Sequence, residues 1–450
     1  MSSTESVHGM WSSRFMFILA AAGSAVGLGN IWRFPYVAGE NGGGAFVLVY
    51  LVCIFLIGIP ILTSEILLGR AGRRSPINTM AGLVKHSGAS KAWNIIGWMG
   101  ALAGFMILSF YAVIAGWAMS YVFSSASGAF VGIDGDGASK VFNDFVGDPT
   151  QVLIWHGIFM LITIYIVGRG VNDGLEQAVK YLMPTLFVLL LLLVGYSSTT
   201  SHFGEGLSFL FSFNVEKLTW NGVLIAMGQA FFTLSLGMGA IMTYGAYMPK
   251  DASIVGSATI IALIDTTVAL LAGMAIFPLV FANGLESSSG PGLMFVTLPL
   301  AFGQMSGGVI FGTLFFVLVT FAAITSAISL IEPALAWLVE HLRVSRVRGA
   351  ILVGGVAWFV GLGSAFSTNI WSDVMILPGM DFFTSMDYIS NNIMLPLGGM
   401  LIALFSGWVV DKSISQDQLQ LSPNQFALWE VLVRFVAPLA VGMVFVMTFV

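Results

Sequence analysis

The chain has 450 residues, of which 57% are hydrophobic and 9% charged, with a mean hydropathy of +0.92 and a net charge of −5. Those values exclude an ordinary soluble domain and indicate a polytopic membrane protein. The mild charge carries no basic tract for nucleic acid and no acidic docking tail, and the single cysteine, Cys53, excludes an intrachain disulfide framework or a cysteine-rich metal site.

Apolar runs long enough to cross a bilayer recur along the whole chain. They predict eleven spans, near 14–38, 42–69, 93–124, 151–168, 176–196, 221–247, 254–282, 307–340, 347–366, 385–410 and 427–449. Ala20-Ala21-Ala22 resembles a signal-peptide cleavage region. The preceding residues, with Glu5, His8 and a lone arginine, make no basic n-region, so the first run is read as a retained span. The outer connections are read as solvated loops: 125–150, with Asp134, Asp136, Asp144 and Asp148 but no EF-hand spacing, and 283–304, with Ser287-Ser288-Ser289. With the N-terminus inside, 13 of the 17 Lys and Arg residues are cytoplasmic, which satisfies the positive-inside rule and leaves the C-terminus outside.

Two spans are interrupted. Span 1 carries Gly23, Gly27 and Gly29, then Asn30, Arg33 and Pro35. Span 6 carries Ser235-Leu236-Gly237-Met238-Gly239. Glycine and proline weaken helix propagation, and freed backbone inside a bilayer is tolerated only against protein or a cavity. The offset of five spans predicts an all-α, 5+5 inverted repeat in one transmembrane domain over 1–450. Repeat 1 spans about 14–196, repeat 2 about 221–410, and an extra helix about 427–449. A break exposes amides at a half-helix N-terminus, suited to a carboxylate, and carbonyls suited to a cation or an amine.

Further residues carry a resemblance. The runs GSAVGLGNIWRFPY at 23–36, ENGGGAF at 40–46, GQAFFTLSLG at 228–237 and AAITS at 322–326 resemble the neurotransmitter:sodium symporter signature. The eleven-span form is similar to the bacterial amino-acid branch, with the leucine-transporter fold. The resemblance implies two sodium sites. The first would use Ala25, Asn30, Thr233, Asp265 and the substrate carboxylate; the second, Gly23, Val26, Ala322, Thr325 and Ser326. Oxygen-only shells suit a hard cation. A substrate carboxylate would meet the amides of Leu28 and Gly29 and the Tyr111 hydroxyl; its amine would meet Ala25, Phe232, Thr233 and Ser235. Ser24, Ile107, Tyr111, Phe232, Met238, Ser326, Ser329 and Leu330 would surround the rest of the substrate.

Gly27 stands where monoamine carriers of that family place an aspartate, which points to substrates with their own carboxylate. Asp265 stands where chloride-dependent members commonly have asparagine, near positions matching Tyr50, Gln229 and Thr233, so no chloride requirement is expected. Arg33 and Asp387 match the outer gate pair; His8 and Glu340 match an inner one, with histidine in place of the usual arginine, which puts a permanent inner ion pair in doubt. Gly174 and Pro184 resemble a GX9P pattern linked to unwinding of span 5. Glu65 and Glu332 are further acids, expected to satisfy freed backbone near the breaks.

The implied activity is sodium-coupled import, by alternating access in a bacterial inner membrane, of a neutral, hydrophobic or aromatic L-amino acid. A symporter of compatible solutes or GABA-like amino acids is the alternative within transport, and an amino-acid-sensing receptor without flux the alternative outside it. No HExxH or GxSxG spacing suggests an enzyme. The expected partners are the substrate and the lipid bilayer, and nothing in the sequence fixes an oligomeric state.

Overall fold

The computed structural model describes residues 8–285 and 290–447. Glu5, Ser287-Ser288-Ser289 and the last residues of the predicted final span lie outside them.

Among the described residues, nine continuous apolar helices are long enough to cross a membrane: Gly44–Gly72, Lys91–Ala126, Pro149–Gly168, Val171–Ser197, Ile254–Ala282, Gly308–Leu342, Arg346–Phe366, Phe382–Val409 and Pro423–Met447. They correspond to spans 2–5 and 7–11. Span 1 is the bent pair Arg14–Ala25 and Gly29–Glu40, whose halves diverge by 70°. Span 6 is Trp220–Thr233 followed by Ala240–Ala246. Counting the bent pair as one span gives ten among the described residues, and the two span 6 helices, separated by residues 234–239, lie where the sequence predicted the remaining one.

Spans 3 and 8 pack together most extensively, and spans 4 and 9 pair beside them. The inner half of span 6 lies along span 2, and span 7 packs on span 1. Outward-facing apolar side chains such as Leu161, Val188, Phe359 and Leu439 remain exposed, as they must where lipid rather than protein covers them.

Glycine does local work where ENGGGAF begins span 2. Gly42 and Gly43 have φ of 105° and 58°, and a Cβ at Gly43 would lie 2.7 Å from the Ser212 carbonyl. Only a residue without a side chain makes that turn and close approach.

Some connections differ from the sequence reading. The predicted loop 125–150 contains the helix Gly135–Gly147, started by Asp134, whose carboxylate accepts the Gly137 amide at 2.8 Å. An N-cap outweighs the turn-prone Gly–Asp composition there. Residues Gly290–Gln304 of the second predicted loop are also helical. A short hairpin pairs Met375–Leu377 with Met380–Asp381, and an isolated bridge joins Gly43 to Phe213, within a fold whose described residues are otherwise mostly helical.

Candidate functional site

Both breaks open onto one cavity of about 300 Å³. In span 1 the chain leaves the helix at Val26, whose backbone is extended, and re-enters it at Leu28. The amides of Leu28 and Gly29 thus head a new half-helix, where no intrahelical acceptor exists. In span 6, Ser235, Gly237 and Gly239 all have positive φ, of 55°, 82° and 73°. A left-handed serine is unfavourable by about 1 kcal/mol; its hydroxyl, which donates to the Ser24 carbonyl at 3.0 Å, helps hold it there.

Asn30 is the hub of the first predicted cation site. Its Oδ1 accepts the Gly27 amide at 3.0 Å, and its Nδ2 donates to Thr233 Oγ1 at 3.1 Å and Asp265 Oδ1 at 2.7 Å. Thr233 donates to the other Asp265 oxygen at 2.7 Å. Three spans therefore converge on one carboxylate. Asp265 is fully buried, and these partners are neutral; no Lys or Arg pairs with it among the described residues. A buried anion held only by neutral groups is a costly arrangement, and a bound cation compensates it.

The second predicted cation set also assembles. Ser326 Oγ lies 3.2 Å from the Val26 carbonyl and Thr325 Oγ1 lies 3.0 Å from that of Ala322. A Cβ at Gly23 would stand 3.3 Å from Thr325 Cβ, so spans 1 and 8 touch there. The resulting surround is made of oxygens.

Of the predicted substrate positions, Ser24, Ala25, Gly27, Leu28, Gly29 and Tyr111 line the cavity. Ile107, Phe232, Thr233, Ser235, Met238, Ser326 and Leu330 complete its wall. Ser329 is not in the lining; it sits behind it, accepting from Ser24 Oγ at 2.7 Å and donating to the Ser326 carbonyl. The Tyr111 hydroxyl is buried beside the Leu28 amide and Ser326, with no hydrogen bond of normal geometry among the described residues. A Cβ at Gly27 would point between that hydroxyl, at 3.4 Å, and Ser326 Oγ, at 3.0 Å. Any side chain at 27 would occupy the space that these two polar groups face.

Sequence reasoning missed Phe110, Ile114, Pro291, Phe383 and Asn391, which also line the cavity. Phe110 and Ile114 follow Ile107 by three and seven residues on the same helix, the helical spacing that could have found them. Asn391 follows Asp387 by four residues, the same kind of signal.

The two gate pairs differ. His8 Nε2 meets Glu340 Oε1 at 2.9 Å, on the face that carries the N-terminal segment. Arg33 and Asp387 line the cavity toward the opposite face but form no ion pair. The Arg33 guanidinium stands 5.1 Å from the centre of the Phe232 ring, and Asp387 accepts from Asn391 Nδ2 at 2.6 Å.

Glu65 accepts the Gly237 amide at 2.5 Å and so caps the span 6 break, as the sequence suggested. Glu332 corrects the sequence reading: instead of freed backbone it takes the Arg346 guanidinium at 2.6 Å and the Tyr247 hydroxyl at 2.7 Å. Arg346 begins span 9 and reaches back across the connection, a partner that sequence spacing did not reveal. Around Gly174 the chain is helical, with a wide π turn over Val171–Glu176, and Pro184 lies within the following helix. The segment is wound in this conformation.

Comparison with known proteins agrees with this geometry. A family model described as the sodium:neurotransmitter symporter family matches residues 8–131 and 143–450. The chain belongs to that family. An uncharacterized sodium-dependent transporter of Bacillus subtilis, YhdH, is 39% identical over 97% of this chain and 96% of its own length. The sodium-dependent serotonin transporter of Drosophila melanogaster is 26% identical over 99% of this chain and 77% of its own. Among solved structures, MhsT in complex with L-phenylalanine superposes with a TM-score of 0.89 at 45% identity, covering 98% of this chain and 99% of MhsT. As a sodium:neurotransmitter symporter the chain is a sodium-coupled membrane transporter and not an enzyme.

Proposed function

We propose that this symporter imports a neutral, apolar or aromatic L-amino acid together with two sodium ions and without a chloride requirement. The observation that carries the sodium part is Asp265, a buried carboxylate with neutral protein partners at the edge of the cavity. One sodium would sit among Ala25, Asn30, Thr233 and Asp265, completed by the substrate carboxylate. The other would sit among Gly23, Val26, Ala322, Thr325 and Ser326.

The substrate carboxylate would take the Leu28 and Gly29 amides and the Tyr111 hydroxyl, which makes no hydrogen bond of normal geometry among the described residues. The amine would take the carbonyls of Ala25, Phe232 and Thr233 and the Ser235 hydroxyl. The far wall supports an apolar side chain: Ile107, Phe110, Ile114, Met238 and Leu330 bring no charge, and methionine adapts to bulky shapes. L-phenylalanine in the similar MhsT agrees with this reading.

With the N-terminus cytoplasmic, the parted Arg33 and Asp387 and the joined His8 and Glu340 describe an outward-facing state. Sodium shifts the cycle only by binding one state better than another; joining spans 1, 6, 7 and 8 favours occlusion. The chain then sits in a bacterial inner membrane with its C-terminus outside.

Sodium-dependent binding of all proteinogenic amino acids to purified protein, followed by uptake into proteoliposomes, tests the proposal. Sodium-driven accumulation of an apolar amino acid supports it. Binding without accumulation would instead favour a sensor, and collapse of uptake when gluconate replaces chloride would refute the chloride clause.

A further inference from the structure

A second cavity, of about 850 Å³, lies on the N-terminal face, away from the substrate site. Its walls are the end of span 2 at Arg70 to Arg74, the helix Pro76–His86, the span 6–7 turn at Lys250, and the short helix Lys412–Leu419 between spans 10 and 11.

The charge in it is one-sided. Arg70, Arg73, Arg74 and Lys250 line the cavity with His86, against one acidic side chain, Asp417. Arg70 is only 5% exposed. Its donors go to neutral acceptors: Gln418 Oε1 at 2.8 Å, the Ala252 carbonyl at 2.6 Å, and the Gln418 carbonyl. Arg73 likewise donates to the carbonyls of Met248 at 2.5 Å and Ala246 at 3.2 Å. No carboxylate forms an ion pair with any of the four among the described residues. Hydrogen bonds to neutral groups satisfy the guanidinium geometry; Asp417 and Asp251 act on Arg70 only through space and do not balance four cations, and a concave wall mostly of one sign concentrates counter-ions. The positive-inside tendency accounts for basic residues on a face. It does not account for four cations gathered on one roomy cavity whose walls hold a single carboxylate.

We propose that this cavity binds a phosphate-bearing anion, supplied either by the headgroup of an anionic lipid in the adjacent leaflet or by a soluble phosphate ester. Several converging cations match the charge of a phosphate, and Arg74 and Lys250, exposed at the cavity wall, are free to swing onto it. An anion there ties the end of span 2 to the 6–7 turn and the 10–11 connection, three pieces that close this face.

The full-length protein, reconstituted in nanodiscs of neutral lipid, is titrated with inorganic phosphate while its thermal midpoint is followed. In parallel, phosphatidylglycerol retained through purification is counted by native mass spectrometry. The proposal expects one of the two probes to bind, more weakly as salt rises. The double substitution Arg74→Gln and Lys250→Gln should weaken that binding about tenfold or more, and Asp417→Asn should strengthen it. Phosphate binding identifies the soluble source; phosphatidylglycerol retention alone identifies the headgroup. Failure of both probes, or binding indifferent to all three substitutions, overturns the proposal. Asp417→Asn predicts a gain, which a damaged fold does not imitate.

Discussion

The two ends of the permeation path hold the same kind of charged couple in opposite conditions. At the N-terminal face, Glu340 accepts from His8, from the amide and hydroxyl of Ser75 at 2.7 Å each, and from Asn78 at 2.5 Å. Trp11 adds bonds to the carbonyls of Tyr247 at 2.9 Å and Tyr244 at 3.1 Å. At the opposite end, Asp387 and Arg33 each rest on a different neighbour. One end is shut by a network in which the His8–Glu340 hydrogen bond is one of several; the other depends on a single couple. A network opens only when many bonds yield together, whereas a lone pair is remade cheaply. That asymmetry suits a state waiting for ligand from the open end.

The sharpest way to break the comparison is Glu340→Ala. It strips every one of those bonds at once and leaves buried donors unmet, a loss of about 3 kcal/mol from the closed face. Uptake should fall by more than about tenfold, and cysteine labelling of the N-terminal half of span 1 should rise. Unchanged labelling would show that Trp11 and its neighbours hold the face alone. Next comes Arg33→Gln. Because the pair is parted here, thermal stability should stay within about 0.5 kcal/mol, while uptake drops about tenfold because closure over substrate fails. A matching loss of stability would mean that the pair is formed at rest.

Asn391→Ala tests what keeps the couple apart. It removes the bond to the Asp387 carboxylate, worth about 1.5 kcal/mol, and frees Asp387 to meet Arg33. The occluded state gains, so apparent substrate affinity should tighten several-fold. A weaker affinity would reassign Asn391 to the closed gate. The smallest effect belongs to His8→Arg. Arginine there places a permanent charge on the bond to Glu340 and strengthens the shut face. Uptake should therefore fall modestly below that of the parent protein. Unchanged uptake would show that the bond from residue 8 does not limit opening.

Much of this was legible in the residues. The breaks in spans 1 and 6 were visible because glycine, proline and a lone asparagine have no ordinary place in a lipid-crossing run. The motifs around them carried Asn30, Thr233 and Asp265 to one point, although 203 residues separate the first two. Less was legible where a partner comes from another element without a motif. Arg346 on Glu332 is such a pairing, made across the connection between spans 8 and 9, whereas Asn391 sits one helical turn from Asp387 and was within reach of the spacing. The helices Gly135–Gly147 and Gly290–Gln304 were hidden because short amphipathic segments with glycine read as turns until a cap or a packed face outweighs propensity.

The Tyr111 hydroxyl has a thermodynamic consequence beyond recognition. A buried donor without a well-formed hydrogen bond among the described residues weakens the fold, and a ligand that supplies an acceptor returns that free energy on binding. The fold and its cargo are thereby linked: at a concentration one hundred times its dissociation constant, a ligand bound only to the folded state adds about 2.7 kcal/mol of stability. Melting the protein against a panel of amino acids, with and without sodium, therefore ranks candidate cargoes by how far each delays unfolding, with no vesicle or gradient required.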